Sequence, residues 1–269
     1  MKRKNRAFTK LALATSLACA SFAVIAEDGV PGVPFGCADL PAHAQLAGAL
    51  KSVVTNDNNG GIGLNMWATV VNRDGIVCGV AFSGHDRGDQ WPGSRVISAQ
   101  KANTANAFSL PGLALSTANL YSAVQPGGTL FGLQESNPVE TLVAYRGPSA
   151  FYGQTNDPMV GHKIGGVNVF GGGLALYNSQ GKLVGALGVS GDTSCTDHII
   201  AWKIRHALNF DNVPAGVSPT HDDNIIYDIT QDANGHPVSA GGFGHPRCDD
   251  TAFMIATNLP NAFPIGPNP

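Results

Sequence analysis

The chain has 269 residues, 43% hydrophobic and only 13% charged, so it carries enough apolar side chain to bury a sizeable core and is not a disordered segment. Its 34 glycines and 17 prolines fall short of a low-complexity composition and describe a loop-rich globular protein. The formal charge of -3 hides an asymmetry, because Lys2, Arg3, Lys4, Arg6 and Lys10 crowd the N-terminus and the remainder is acidic on balance.

Residues 11–26, LALATSLACASFAVIA, are apolar and small behind that basic start and precede Glu27-Asp28, which is the pattern of a secretory signal peptide. The run is short and Ala/Ser-rich for a membrane span, which takes about 20 strongly apolar residues. Ser16 before Leu17-Ala18-Cys19 stands where a lipoprotein site wants a large aliphatic residue. Cleavage after Ala26 would leave 11 basic and 19 acidic side chains, a net charge of -8, which argues against nucleic acid as a partner and leaves no membrane span. The reading is a periplasmic or secreted protein.

Four cysteines then remain, Cys37, Cys78, Cys195 and Cys248, an even number suited to two disulfides in an oxidising compartment. Three pairings are possible. The favoured one joins Cys37 to Cys78 and Cys195 to Cys248, tying each terminal segment to the nearer half of the core. No CxxC pair suggests a metal site, and no CxxCH suggests covalent haem.

After a Gly/Pro loop at residues 27–37, Ala42, Leu46, Leu50 and Val53 mark an amphipathic helix over 38–55. Two β-branched runs, Leu64 to Val71 and Ile76 to Phe82, flank Asn72-Arg73-Asp74-Gly75 and predict a hairpin. The polar loop Gly84 to Gly93 leads into SRVISAQKANTANAF, helical in period and rich in small residues. A short helix over 114–124 and an aperiodic stretch over 131–163 follow. Val167 to Phe170, Leu174 to Tyr177 and Leu183 to Val189 predict three strands of a meander. Ile200, Ile204 and Leu208 predict a helix from about Thr196 to Leu208, with Asp192 or Ser194 as N-cap. Residues 209–269, rich in Pro, Asn, Asp and Gly, read as an irregular tail tethered by Cys248. The order of elements predicts one α+β domain over 38–208, with helices covering an antiparallel sheet.

The helix AQKANTANAF at Ala99 to Phe108, the block GGVNVFGGGLALYNSQGKLVGALGVSGDTSCTDH at Gly165 to His198 and the helix AWKIRHAL after it resemble the GlcG/HbpS family of haem-binding proteins. The resemblance covers roughly Ala38 to Leu208, and the signal peptide and cysteine-bearing tail fit an exported subgroup. It implies a profilin-like three-layer α/β/α core with a five-stranded antiparallel sheet, frequent assembly into homo-oligomers, and haem or a related tetrapyrrole as cofactor.

Candidate ligand-binding residues fall in three places. The loop Ser83 to Trp91 offers His85 as an axial iron ligand or acid–base group, Arg87 or the nearby Arg95 as an anion clamp, and Trp91 as a stacking wall. Lys101 matches the family's helix motif, as do Thr104 and Ala105; it reads either as a pocket cation for carboxylates or as the partner of an acidic neighbour. Ser190 and Gly191 end a strand and open a helix, where backbone N–H groups can receive a carboxylate or propionate. The spacing is not G-x-S-x-G, so it gives no support to a hydrolase. His198, beside Asp197 in the first turn of that helix, is the second candidate metal ligand after His85. Asp197 reads as a cap rather than a partner of His198, because adjacent helix positions do not face one another.

Three functions are open to such a chain: an exported haem-binding module that sequesters, carries or senses haem, an enzyme acting on a small carboxylate by acid–base or lyase-type chemistry, and an oligomerising scaffold. The resemblance favours the first.

Overall fold

The computed structural model describes residues 32–266; the expected signal peptide, with Cys19, lies outside the described residues. The hairpin forms where the sequence places it, with β1 (Trp67–Asn72) and β2 (Val77–Phe82) antiparallel. Gly75 closes the turn at φ +75, donating its N–H to the Asn72 carbonyl at 3.0 Å. β3 (Gly173–Tyr177) and β4 (Leu183–Ser190) pair antiparallel, and β4 also pairs with β1, so the sheet order is β2-β1-β4-β3.

Side chains alternate across this sheet, and each face is covered. Ala68, Val70, Leu187 and Val189 pack with Leu46, Leu50 and Val53 of α1 (His43–Asn56), and with Ile199, Ile200 and Ile204 of a later helix over 194–207. Trp67, Val71 and Ala186 face the other way, against Val96, Ala99, Ala102 and Ala105 of α2 (Ser94–Phe108). The expected three layers are therefore present. α2 can lie so close because Gly188 faces it: a Cβ there would collide with the Ser98 carbonyl and stand 2.5 Å from the Ala102 nitrogen. The small residues of α2 and the glycines of β4 are two halves of one contact.

The sheet has four strands, not the expected five. Val167 to Phe170 forms no strand, because α2 and the turn after it take up its backbone groups. Asn103 donates to the Gly166 carbonyl at 2.8 Å, the Asn168 N–H donates to Thr104 Oγ1 at 2.9 Å, and Thr117 Oγ1 donates to the Phe170 carbonyl. The expected helix over 114–124 is two single 3-10 turns, Thr117–Leu120 and Ser122–Val124. The stretch over 131–163 holds two one-turn α-helices, α3 (Leu133–Ser136) and α4 (Thr141–Ala144), and a 3-10 turn, Ser149–Phe151.

α5 (Ser194–Ala207) has Thr193 as N-cap, its Oγ1 accepting the Thr196 N–H, rather than Asp192 or Ser194. The tail also departs from expectation. It contains a small hairpin, β5 (Ile229–Gln231) with β6 (Pro237–Ser239), and a full helix, α6 (Asp250–Ala262). Asp249 caps α6 by accepting the Ala252 N–H at 2.8 Å, and Ala252, Ala256 and Leu259 join the α1/α5 core. Composition conceals this helix because its three buried anchors are spaced among Thr, Asn and Pro260.

Both disulfides have the favoured pairing, Cys37–Cys78 with Cα atoms 5.6 Å apart and Cys195–Cys248 at 6.0 Å. Among the described residues no helix is long and apolar enough to cross a membrane.

Candidate functional site: a cleft over Lys101 and Asp197

Lys101 leaves α2 toward the end of β4 and meets α5. Its Nζ donates to Asp197 Oδ2 at 2.6 Å and to the Val189 carbonyl at 3.1 Å. Both side chains are almost wholly buried. Asp197 Oδ1 accepts the N–H groups of Gly191 (3.1 Å) and Asp192 (3.0 Å). Burial pushes the Asp197 carboxyl up to about 6, while the Lys101 ammonium and the Asp192 amide pull it down. Of the two readings open to Lys101, pocket cation and ion-pair partner, its position supports both.

Above this pair lies a cleft of about 320 Å³ whose lining includes Trp91, Lys101, Phe170, Ser190, Ser194 and Asp197. Trp91 is 53% and Phe170 44% exposed, and they form its apolar walls. An ammonium has three N–H groups; two of those on Lys101 are spent, which leaves one for a ligand. Asp192, also in the lining, is engaged elsewhere, accepting the N–H groups of Ile62 and Leu64 at 2.9 and 3.0 Å.

Gly172 makes this arrangement possible. The strap Gly171 to Gly173 crosses the start of α5, with Gly172 at φ +116. A Cβ at Gly172 would collide with the Val189 carbonyl and stand 3.1 Å from Lys101 Nζ.

Of the sequence candidates, Trp91, Lys101 and Ser190 converge on the cleft. The others do not. Gly191 has no free amide to offer, because Asp197 fills the strand-to-helix turn expected to receive a ligand carboxylate. Arg95 is a buried strut: its guanidinium forms a two-pronged ion pair with Asp157, donates to the Ala144 carbonyl at 2.8 Å and stacks 3.6 Å over the Tyr152 ring. The expected anion clamp is thus committed to the core. Arg87 pairs with its neighbour Asp86 at 3.3 Å on the surface.

His85 is exposed on the loop that ends in Trp91, a loop held by Asp89, whose Oδ2 accepts the His85 and Asp86 N–H groups at 2.8 and 2.9 Å. His198 is fully buried behind the strap and does not line the cleft. Its Nε2 lies 3.2 Å from Asn224 Oδ1 and 3.1 Å from the Ile225 nitrogen, and its Nδ1 has no partner. Burial, with the Arg205 charge nearby, pushes it down to about 3. The first candidate, His85, is thus exposed and the second, His198, buried, and among the described residues no group of three or more His, Cys, Asp or Glu is arranged to hold a metal.

Phe170 and His245 carry no signal of their role in the sequence. Phe170 has the composition of a strand residue, and nothing local marks it as a cleft wall. His245 is buried, its ring 5.0 Å from that of Tyr121 and tilted by 54°, and donates from Nδ1 to the Pro246 carbonyl at 2.7 Å. Burial pushes it down to about 4.

The α/β/α core with a cleft at the strand-to-helix turn defines the class of fold, a three-layer α+β domain. Residues 45–205 match the family model of HbpS-like haem degrading proteins, and the chain belongs to that family. No curated protein matches it. Among solved structures it is similar to the protein ORFY of Klebsiella pneumoniae, at 26% identity over 61% of this chain and 86% of that one, with a TM-score of 0.42. A PduOC:heme complex matches at 24% identity over 63% of this chain and 95% of that one, TM-score 0.43. A crystal structure of HbpS matches at 15% identity over 62% and 86%, TM-score 0.38.

Proposed function

We propose that the chain is an exported haem-binding protein that receives one edge of the macrocycle in the cleft between Trp91 and Phe170. Membership of the HbpS-like family of haem degrading proteins supports a haem-related role. The observation that carries the reading is the placement of Lys101, a buried ammonium with one uncommitted N–H, beneath two exposed aromatic side chains.

The residues fit the ligand's chemistry. Trp91 and Phe170 supply stacking surface for a flat apolar ring, and Lys101 supplies a charge-assisted hydrogen bond to a propionate carboxylate. The cleft volume suits an edge rather than a whole macrocycle, so the remainder would lie against the exposed loop bearing His85. When bound, haem would supply an iron centre for ligand or redox chemistry. His85 is the solvent-exposed imidazole on that loop and is the proposed axial ligand. Sequestration, transport and sensing are all compatible with a site built this way, and the two disulfides suit an oxidising, extracytoplasmic compartment.

An absorbance titration comparing haem with its propionate dimethyl ester tests this assignment. Haem should bind saturably and at least tenfold more tightly than the ester, with the difference abolished by Lys101→Met and the Soret position altered by His85→Ala. Equal affinity for the two forms would remove Lys101 from the site. Absence of saturable binding to either would overturn the function.

A further inference from the structure

The floor of the cleft holds more unspent hydrogen-bonding groups than Lys101 alone. Ser94, Ile97 and Lys101 lie three and four residues apart on α2, so they share one face of the helix, and all three line the cleft. Ser190 comes to the same face from β4. Side chains alternate along a strand, and Gly188, two residues earlier, is where α2 packs against β4. Ser94 is 3% and Ser190 4% exposed, yet neither hydroxyl has a hydrogen-bond partner among the described residues. Neighbouring hydroxyls are committed. Ser98 Oγ accepts from Thr69 Oγ1 at 2.7 Å and donates to the Arg95 carbonyl at 2.8 Å, while Thr104 Oγ1 donates to the Gln100 carbonyl at 2.7 Å and accepts the Asn168 N–H at 2.9 Å. Buried polar groups in folded proteins are nearly always paired, so two left over on one cleft point to a ligand that pairs with them.

Charge and size narrow that ligand. One ammonium N–H and two hydroxyls can each donate to an anion, and bonds to a charged acceptor are the stronger kind. Asp192 and Asp197 also border the cleft, so the floor carries two carboxylates for one ammonium. A dianion such as a phosphate monoester would be repelled by both, whereas a carboxylate brings a single charge spread over two acceptor oxygens. The volume of about 320 Å³ is at the small end of ligand pockets, roughly 300–1,000 Å³, and the walls Trp91 and Phe170 offer ring faces. Wall and floor are fixed to one another, because the Trp91 carbonyl accepts the Ser94 N–H at 3.0 Å and the Trp67 indole N–H at 3.1 Å.

We propose that the cleft is a receptor for a small arylcarboxylate monoanion, its carboxylate held by Lys101, Ser94 and Ser190 and its ring set between Trp91 and Phe170. The two serines are thereby binding residues that select an acid over the corresponding alcohol. The cleft is the one assigned above to a haem edge, but this inference does not need haem: a single ring with one carboxylate satisfies every group named.

Isothermal titration of 3-phenylpropionate into the oxidised protein tests it. Saturable one-to-one binding is expected, weakened about tenfold by Ser94→Ala and by Ser190→Ala. Thermal unfolding of both variants should match the parent, since neither loses a bond within the protein. Ser98→Ala, whose hydroxyl is spent on Thr69 and Arg95, should leave the affinity unchanged. 3-Phenylpropanol and phenyl phosphate should each bind about tenfold more weakly than the acid. Absence of saturable binding, equal binding of acid and alcohol, or affinity indifferent to both serines would overturn the proposal. A parallel haem titration separates the two readings: a protein that binds 3-phenylpropionate but no haem contradicts the haem function alone, and one that binds haem but not 3-phenylpropionate contradicts this inference alone.

Discussion

Lys101 Nζ and Asp197 Oδ2 stand 2.6 Å apart, joining helices on opposite faces of the sheet through the end of β4. The pair does two things at once: it closes the strand-to-helix turn from within and leaves one N–H of a buried cation at the floor of a cleft. Removal of one partner strands the other charge in the interior, which costs about 3–5 kcal/mol. Lys101→Met is therefore expected to lower unfolding stability by that order. Asp197→Asn, which keeps an oxygen for the Gly191 and Asp192 amides, should cost less. Urea unfolding of the two variants checks the ranking.

Arg95 offers the contrast. It has the same burial as Lys101 but no face on the cleft. Arg95→Met should destabilise by about 3–5 kcal/mol through the orphaned Asp157, yet leave haem affinity unchanged at temperatures where the protein stays folded. Parallel unfolding and Soret titrations separate the two effects.

Gly172→Ala is expected to damage both stability and binding, because it demands a Cβ at φ +116 against the Val189 carbonyl. A strained backbone of this kind costs about 1–3 kcal/mol, and a displaced strap would shift its chain neighbour Phe170 and press on Lys101 Nζ. Gly181, at φ +70 with open space around it, is the control; Gly181→Ala should cost about 1–2 kcal/mol and leave haem binding intact.

Acid should weaken the fold. His198 and His245 are held neutral in the folded protein down to about 3 and about 4, below the ordinary value of 6.5. Their contribution is complete above 6.5 and is lost as pH falls toward those folded values, since the unfolded chain takes up the protons first. Asp197 acts in the opposite sense: raised to about 6 from 3.8, it favours the fold fully below 3.8 and loses that contribution as pH rises through 6. Two displaced histidines outweigh one carboxyl, so thermal stability should fall from pH 6.5 to 4. His245→Gln should flatten the slope.

The regular parts of the fold were legible in the residues. The hairpin announced itself through Asn72 to Gly75, and the helix over Ser94–Phe108 through its small-residue face, because both signals are local. The missing fifth strand was not legible: Val167 to Phe170 has strand composition, and only the long-range bonds from Asn103, Thr104 and Thr117 divert its backbone. The site divides in the same way. Trp91, Lys101 and Ser190 stood out by residue type and motif, whereas Arg95 and Gly191 were lost to partners, Asp157 and Asp197, that lie 62 and 6 residues away. The pairing of Cys195 with Cys248 was the favoured one of three that the cysteine positions left open, but α6 gave no such signal, since its buried face has only Ala252, Ala256 and Leu259 to show.

The cleft walls provide the most direct test, because Trp91 and Phe170 are exposed and can be removed without opening the core. Haem should be titrated into the oxidised protein from Glu27 onward, and into Trp91→Ala and Phe170→Ala, with the Soret band as readout. A saturable, near-stoichiometric shift in the parent, weakened about tenfold by each substitution while unfolding stability stays put, is the expected result. Weak, unsaturable binding, or saturable binding indifferent to both walls, would contradict the account.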